Sequence, residues 1–211
     1  MGISEGTQTT DNQFWCPEAP DFQASKTPLN RSILRNCALL AHNLQADYVH
    51  GGMSNYRCWQ FMRHITKLGH IFNAMGLLIA DCRTERKDRH HLFQEDIPHC
   101  VKGSTGARGQ LFVKKSKNIK IFTRGYNDTD YSMFKSVGLH DWLRAGGCNT
   151  IFIVGLDFTK SGVETAKEAR QKGYNVVIPM FANLYTDMRS ELNVHDIYIK
   201  TLIHKHGCKV I

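Results

Sequence analysis

Long apolar runs are missing from this sequence. The longest, "NTIFIVGL" and "AMGLLIA", have strand length and fall well short of the roughly 18 residues a membrane-spanning helix needs, so no membrane span is expected. Proline is scarce, with five in 211 residues, and Pro17, Pro20 and Pro28 stand in the first thirty, which leaves the rest of the chain nearly free of breakers. No CxxC pair occurs among the seven cysteines (Cys16, Cys37, Cys58, Cys82, Cys100, Cys148, Cys208). Their odd number and wide spacing exclude zinc ribbons and fingers and argue against a disulfide scaffold; they read as small apolar core residues of a reducing compartment. Internal repeats and low-complexity tracts are also missing. No basic residue precedes Lys26, whereas Glu5, Asp11, Glu18 and Asp21 do. An acidic start without arginine or an apolar core is neither a secretory signal nor a transit peptide. Gly2 is present, but Gly6 stands where a myristoylation signal wants Ser or Thr. A cytoplasmic location is expected, with mitochondrial import by other signals left open.

What is present suits a globular chain: 42% of residues are hydrophobic, and the length fits one α/β domain with a sizeable core. The net charge is +8 and is gathered in "RTERKDRHH" and "VKKSKNIKIFTR". Such charge favours RNA or another polyanion, acidic lipid or an acidic protein face, and it also serves simply as a solvated surface.

Residues 1–30 are polar and without period, and read as an extended arm; residues 31–211 form the folded domain. There, strand and helix signals alternate. "NCALLAHNL", "LLIADCR", "IKIFTR", "TIFIVGL", "YNVVIPM" and "CKVI" read as strands. "RCWQFMRHITKLGHIFNAMG" has Trp59, Met62, Ile65, Ile71 and Met75 near helical spacing and ends at Gly76. "GLHDWLRAGG", "SGVETAKEARQKG" and "ELNVHDIYIKTLIHKHG" are the other helices, and a charged, His-rich excursion runs from Arg83 to about Gln110. Apolar strands alternating with helices predict an α/β three-layer sandwich: a parallel sheet of about six strands with helices on both faces. Ligands of such folds bind at the carboxyl ends of the strands, which brings "HNLQADY", "DCRTERKDRHH", "TRGYNDTDY" and "GLDFTKSG" to one rim.

From about residue 36 onward the chain resembles the isochorismatase-like cysteine hydrolases, their nicotinamidase branch most of all. "HCVKGSTGA", "DYSMF" before a Gly-Leu-helix-Trp-Leu pattern, and "VGL" leading to "TAKEARQKGYNVV" carry the resemblance in order and spacing. It implies an aspartate–lysine–cysteine triad, in which a thiolate attacks, a carboxylate takes its proton and a lysine steadies the developing charge, beside an oxyanion turn. The three positions fall on Asn43, Arg124 and Ser161. An amide cannot serve as general base, a serine needs a base more than a thiol does, and arginine is bulkier and planar. The oxyanion turn falls on Leu156 and Asp157, and the pocket on Gln45, Tyr48, Tyr131 and Phe158. Asp157 either caps the following helix or places charge where an oxyanion should form, and Phe158 fills the substrate cavity.

The resemblance also implies a divalent metal such as zinc, held by an Asp-x-His pair and two later histidines. Asp81, His91 (or His90) and His99 match, but Arg83 stands at the x-His position, where positive charge opposes a cation, so no cofactor is the first expectation. "GSTGARG" lacks the Lys-Ser/Thr of a phosphate loop and reads as a connecting turn. Two functions remain open. One is a catalytically inactive member of the fold, a binding or structural subunit of a larger assembly with protein partners, RNA or another polyanion, or further copies of itself. The alternative is an active hydrolase of a small amide with an altered mechanism.

Overall fold

The computed structural model describes residues 34–54, 57–94, 97–111, 113, 115–125, 131–156, 158–184 and 199–211. The 1–30 arm, Asp157 and residues 191–198 of the last expected helix lie outside them. The strands are β1 (Cys37–His42), β2 (Leu78–Thr84), β3 (Ile119–Arg124), β4 (Thr150–Leu156), β5 (Asn175–Ile178), β6 (Asn183–Leu184) and β7 (Lys209–Val210). The helices are α1 (Ala46–Val49), α2 (Cys58–Ala74), α3 (Leu139–Ala145) and α4 (Val163–Gln171), with a further helical stretch at 199–204. Every ladder is parallel, in the order β3-β2-β1-β4-β5-β7, with the two-residue β6 also pairing β4. The expected fold is therefore found, with β6 as the strand too short to be read from sequence.

All six residues of β1 are buried, and β1 pairs with β2 on one side and β4 on the other. A central strand with no polar alternation requires cover on both faces. Ala38 and Leu40 of β1, Ala80 of β2 and Ile151 and Ile153 of β4 face a core closed by Leu139 and Leu143 of α3 and Val163, Ala166 and Ala169 of α4. Leu39, Ala41, Ile79, Phe152 and Val154 face the other core, closed by α2. The small residues of α4 let that helix lie close on the sheet.

On α2 the buried stripe is Cys58, Met62, Ile65, Leu68, Gly69 and Phe72, so the expected inward place of Trp59 is corrected: Trp59 is 56% exposed. Cys58 begins the stripe, and its neighbour is turned about 100° away on a 3.6-residue helix. Gly76, at φ 69°, ends the helix as its position implied.

Register places one row of residues across the carboxyl half of the sheet: Phe122, Cys82, His42, Gly155 and Asn183 on β3, β2, β1, β4 and β6. The candidate site is built on and just beyond this row.

Phe72 is buried and packs edge-on against Phe152 at 5.3 Å between ring centroids. Phe72→Ala should cost about 3–5 kcal/mol in urea unfolding, whereas Trp59→Ala, on the same helix but facing out, should change stability by no more than about 0.5 kcal/mol.

Candidate functional site

β3 delivers Arg124 at its last position, and a five-residue π-type turn, Phe158–Gly162, delivers Ser161 between β4 and α4. Both side chains are buried. Arg124 Nη2 donates to Ser161 Oγ at 2.8 Å, and Ser161 Oγ donates in turn to the Tyr131 carbonyl at 3.0 Å. Arg124 Nε points at Met133 Sδ, 3.1 Å away. The turn is braced by Thr165, whose hydroxyl donates to the Ser161 carbonyl at 2.6 Å and accepts from Met133 N at 3.0 Å. Two of the three expected catalytic positions thus touch, and the serine proton is directed at a main-chain oxygen.

Asn43 follows β1 in a left-handed conformation, φ 56°, which asparagine tolerates better than most residues. Its Oδ1 accepts from Thr84 Oγ1 at 2.9 Å and its Nδ2 donates to the Leu156 carbonyl at 3.4 Å. Asn43 therefore ties β1 to the ends of β2 and β4, and makes no hydrogen bond to Ser161 among the described residues. Gln45 behaves as a short piece of extra strand. Its Oε1 accepts from Thr84 N at 2.7 Å, while Nε2 donates to the Thr84 carbonyl at 2.7 Å and to Ala107 O at 3.1 Å. Thr84, fully buried, is the centre of these contacts and was not singled out from the sequence.

Leu156 is buried, and the other half of the expected oxyanion turn, Asp157, lies outside the described residues. Phe158 is fully buried in the α4 core and its ring lies 6.4 Å from that of His42. Tyr48 sits beside His99, ring centroids 5.6 Å apart, and burial pushes its hydroxyl up to about 12. Tyr131 enters through its main-chain carbonyl. The "GSTGARG" segment runs along α1: Ala46 N donates to Arg108 O, Asp47 N to Gly106 O and Gln110 N to Leu44 O. It is a connecting turn, as read from its missing lysine.

His42 is the second residue that sequence reasoning passed over. Its signal was the strand period: Ala38, Leu40 and His42 share one face. The imidazole is wholly buried, and neither ring nitrogen has a hydrogen-bond partner among the described residues. Gly155, at φ 152°, makes room for it, since a side chain there would run into the His42 carbonyl and ring. Burial, and then the nearby Arg124 cation, lower its pKa to about 3. The ring is neutral at neutral pH.

The expected metal trio is not brought together. Among the described residues no three His, Cys, Asp or Glu side chains gather as a metal would require. Asp81 Oδ2 instead receives Arg83, His91 stacks on His90 with centroids 4.6 Å apart, and His99 Nδ1 lies 2.7 Å from the Ile97 carbonyl, to which it donates. Burial raises the pKa of Asp81 despite Arg83. These residues do not fit a bound metal.

A family model, the isochorismatase domain, matches residues 37–203. No curated protein sequence gives a significant match. Among solved structures, the chain is similar to the pyrazinamidase of Pyrococcus horikoshii in complex with zinc, at 21% identity and TM-score 0.72, over 83% of this chain and 98% of that one. A nicotinamidase from Bacillus subtilis is similar at 20% identity and TM-score 0.72, again over 83% and 98%. The N-carbamoylsarcosine amidase of Thermoplasma acidophilum follows at 20% identity and TM-score 0.70, over 83% and 95%. At these identities the likeness is one of fold.

The buried His42 gives stability a pH dependence of definite sign. Its pKa is about 3 in the folded chain against an ordinary 6.5, so the contribution is complete above pH 6.5 and is lost as pH falls toward 3. Between pH 7 and pH 5, urea unfolding of the wild type should lose about 2 kcal/mol more than that of His42→Leu. Equal losses in the two proteins would show that the ring is not held neutral by its burial.

Proposed function

The chain belongs to the isochorismatase family, and from that premise we propose that it keeps the family's fold without its nucleophilic chemistry, acting as a binding or structural subunit of a larger assembly. One observation carries the proposal. The residue at the nucleophile position, Ser161, donates its hydroxyl hydrogen bond to the Tyr131 carbonyl and accepts one from Arg124 on its oxygen. A main-chain carbonyl has no useful proton affinity, and a guanidinium cannot act as a base. A serine so held is not activated, because activation requires an adjacent group that removes the proton.

The position of the general base supports the same conclusion. Asn43 is an amide, and its oxygen is already occupied by Thr84. Loss of general-base catalysis alone forfeits about 10²–10⁴-fold in rate. Arg124 keeps the positive charge of the third position but uses it to fix the serine.

A binding role draws on the surface. Val137 is 96% exposed, and Ile97 and Ile121 are more than half exposed, while the net charge of +8 favours an acidic or polyanionic partner. Protein subunits are the first candidates and RNA the second.

The purified protein should hydrolyse nicotinamide, isochorismate and small amides no faster than Ser161→Ala does. Turnover that Ser161→Ala abolishes would establish the alternative, an active amide hydrolase of altered mechanism. The combined change Asn43→Asp, Arg124→Lys, Ser161→Cys should restore measurable amide hydrolysis. Purification of the native protein should recover it in a complex with other chains, and recovery only as a monomer or homodimer would contradict the assembly role.

A further inference from the structure

Asp81 and Arg83 are two residues apart on β2, so their side chains leave the same face of the sheet, the face that Ile79 packs against α2. Arg83 Nη2 donates to Asp81 Oδ2 at 2.6 Å, and Nε donates to the same oxygen at 3.0 Å. The Asp81 side chain is 5% exposed and that of Arg83 is 23% exposed. The other carboxylate oxygen, Oδ1, is buried and has no hydrogen-bond partner among the described residues.

The guanidinium has a built seat. It lies against Gly109, where any side chain would run into Nη2, Cζ and Nε. Gly109 is held in turn by an antiparallel bridge to Gln45, whose amide is bonded to Thr84 at the end of the same strand. The arginine is thus pressed onto Asp81 by backbone that is itself tied to β2.

We propose that the Arg83 guanidinium is the resident cation of this site: it neutralises Asp81 from within the chain, occupies the approach a divalent metal would use, and leaves Oδ1 to accept from a neutral donor such as a ligand N–H. A buried carboxylate demands a positive partner, and the chain already supplies one with two charge-assisted hydrogen bonds. A divalent ion bound to Asp81 would stand beside a fixed guanidinium, with two like charges added to the one present, and the charge of the carboxylate would already be spent.

The test uses the full-length protein, stripped of metal with a chelator, and Mn²⁺, which oxygen and imidazole donors hold and thiols compete for weakly. Wild type is expected to show no Mn²⁺ binding that Asp81→Asn removes. Arg83→His, which sets one imidazole beside Asp81 in place of the cation, should gain weak Mn²⁺ binding that wild type lacks, and adding Asp81→Asn should abolish the gain. Thermal unfolding gives a readout independent of metal. Arg83→Met should melt about 4 °C or more below wild type, and the double variant with Asp81→Asn should recover most of that loss, because the uncompensated carboxylate is gone. Should Arg83→Met fail to fold, the double variant is expected to fold. The proposal is overturned by an Asp81-dependent Mn²⁺ site in wild type, by an Arg83→His variant that binds no better, by an Arg83→Met variant as stable as wild type, or by a double variant that recovers nothing.

Discussion

The hydrogen bond from the Arg124 guanidinium to the Ser161 hydroxyl, 2.8 Å long and buried, joins the end of the third strand to the turn after the fourth. Much of the site depends on it. A guanidinium out of water must place its N–H groups on acceptors, and here Ser161 Oγ and Met133 Sδ are two of them. Ser161 is thereby turned toward the Tyr131 carbonyl, and the segment before α3 is drawn onto the start of α4. The same cation lies close enough to His42 to help keep that imidazole uncharged. A lysine, with a compact charge on a flexible stem, would not hold the serine through a planar fork in this way.

The sheet explains why so much chemistry-bearing side chain sits at one end of the molecule. Parallel strands share a direction, so the residues that follow β1, β2, β3 and β4 all emerge on one rim. Asn43, Arg124 and the 158–162 turn stand there by topology alone. On the proposed reading, the bonding between them is what sets this rim apart from a working hydrolase site. Asn43 joins Thr84 and Leu156, Gln45 extends the edge of β2, and Arg83 closes on Asp81. Asn43, Gln45, Arg83 and Ser161 are each engaged with another part of the chain, which makes the rim a brace for the sheet.

The parts legible in the sequence were those with a local period or a fixed spacing. The strand runs, the 3.6-residue stripe of α2 and the glycine at its end can be read within a window of a few residues. The triad positions could be placed because they stand at set distances from motifs such as "VGL" and "DYSMF". Contacts between segments far apart in sequence had no such signal. Nothing near Thr84 announces that its main chain and hydroxyl serve Gln45 and Asn43. His42 looked like one more residue of a strand until register set it beside Gly155 and under Phe158. Trp59 was misplaced for a related reason: its apolar character fitted the helix, but the phase of the stripe was set by Cys58, a less conspicuous neighbour. The resemblance put a cation, Arg83, at the place of a metal ligand, and only the folded chain showed where that cation goes.

The central claim is that Ser161 is held rather than activated. Covalent labelling by a serine-directed fluorophosphonate, read by intact mass and peptide mapping on the native protein, tests it most directly. The account expects no adduct at Ser161, because its hydroxyl donates to a carbonyl and, among the described residues, no base accepts from it. Stoichiometric labelling of Ser161 in the folded protein, lost on unfolding, would contradict the account.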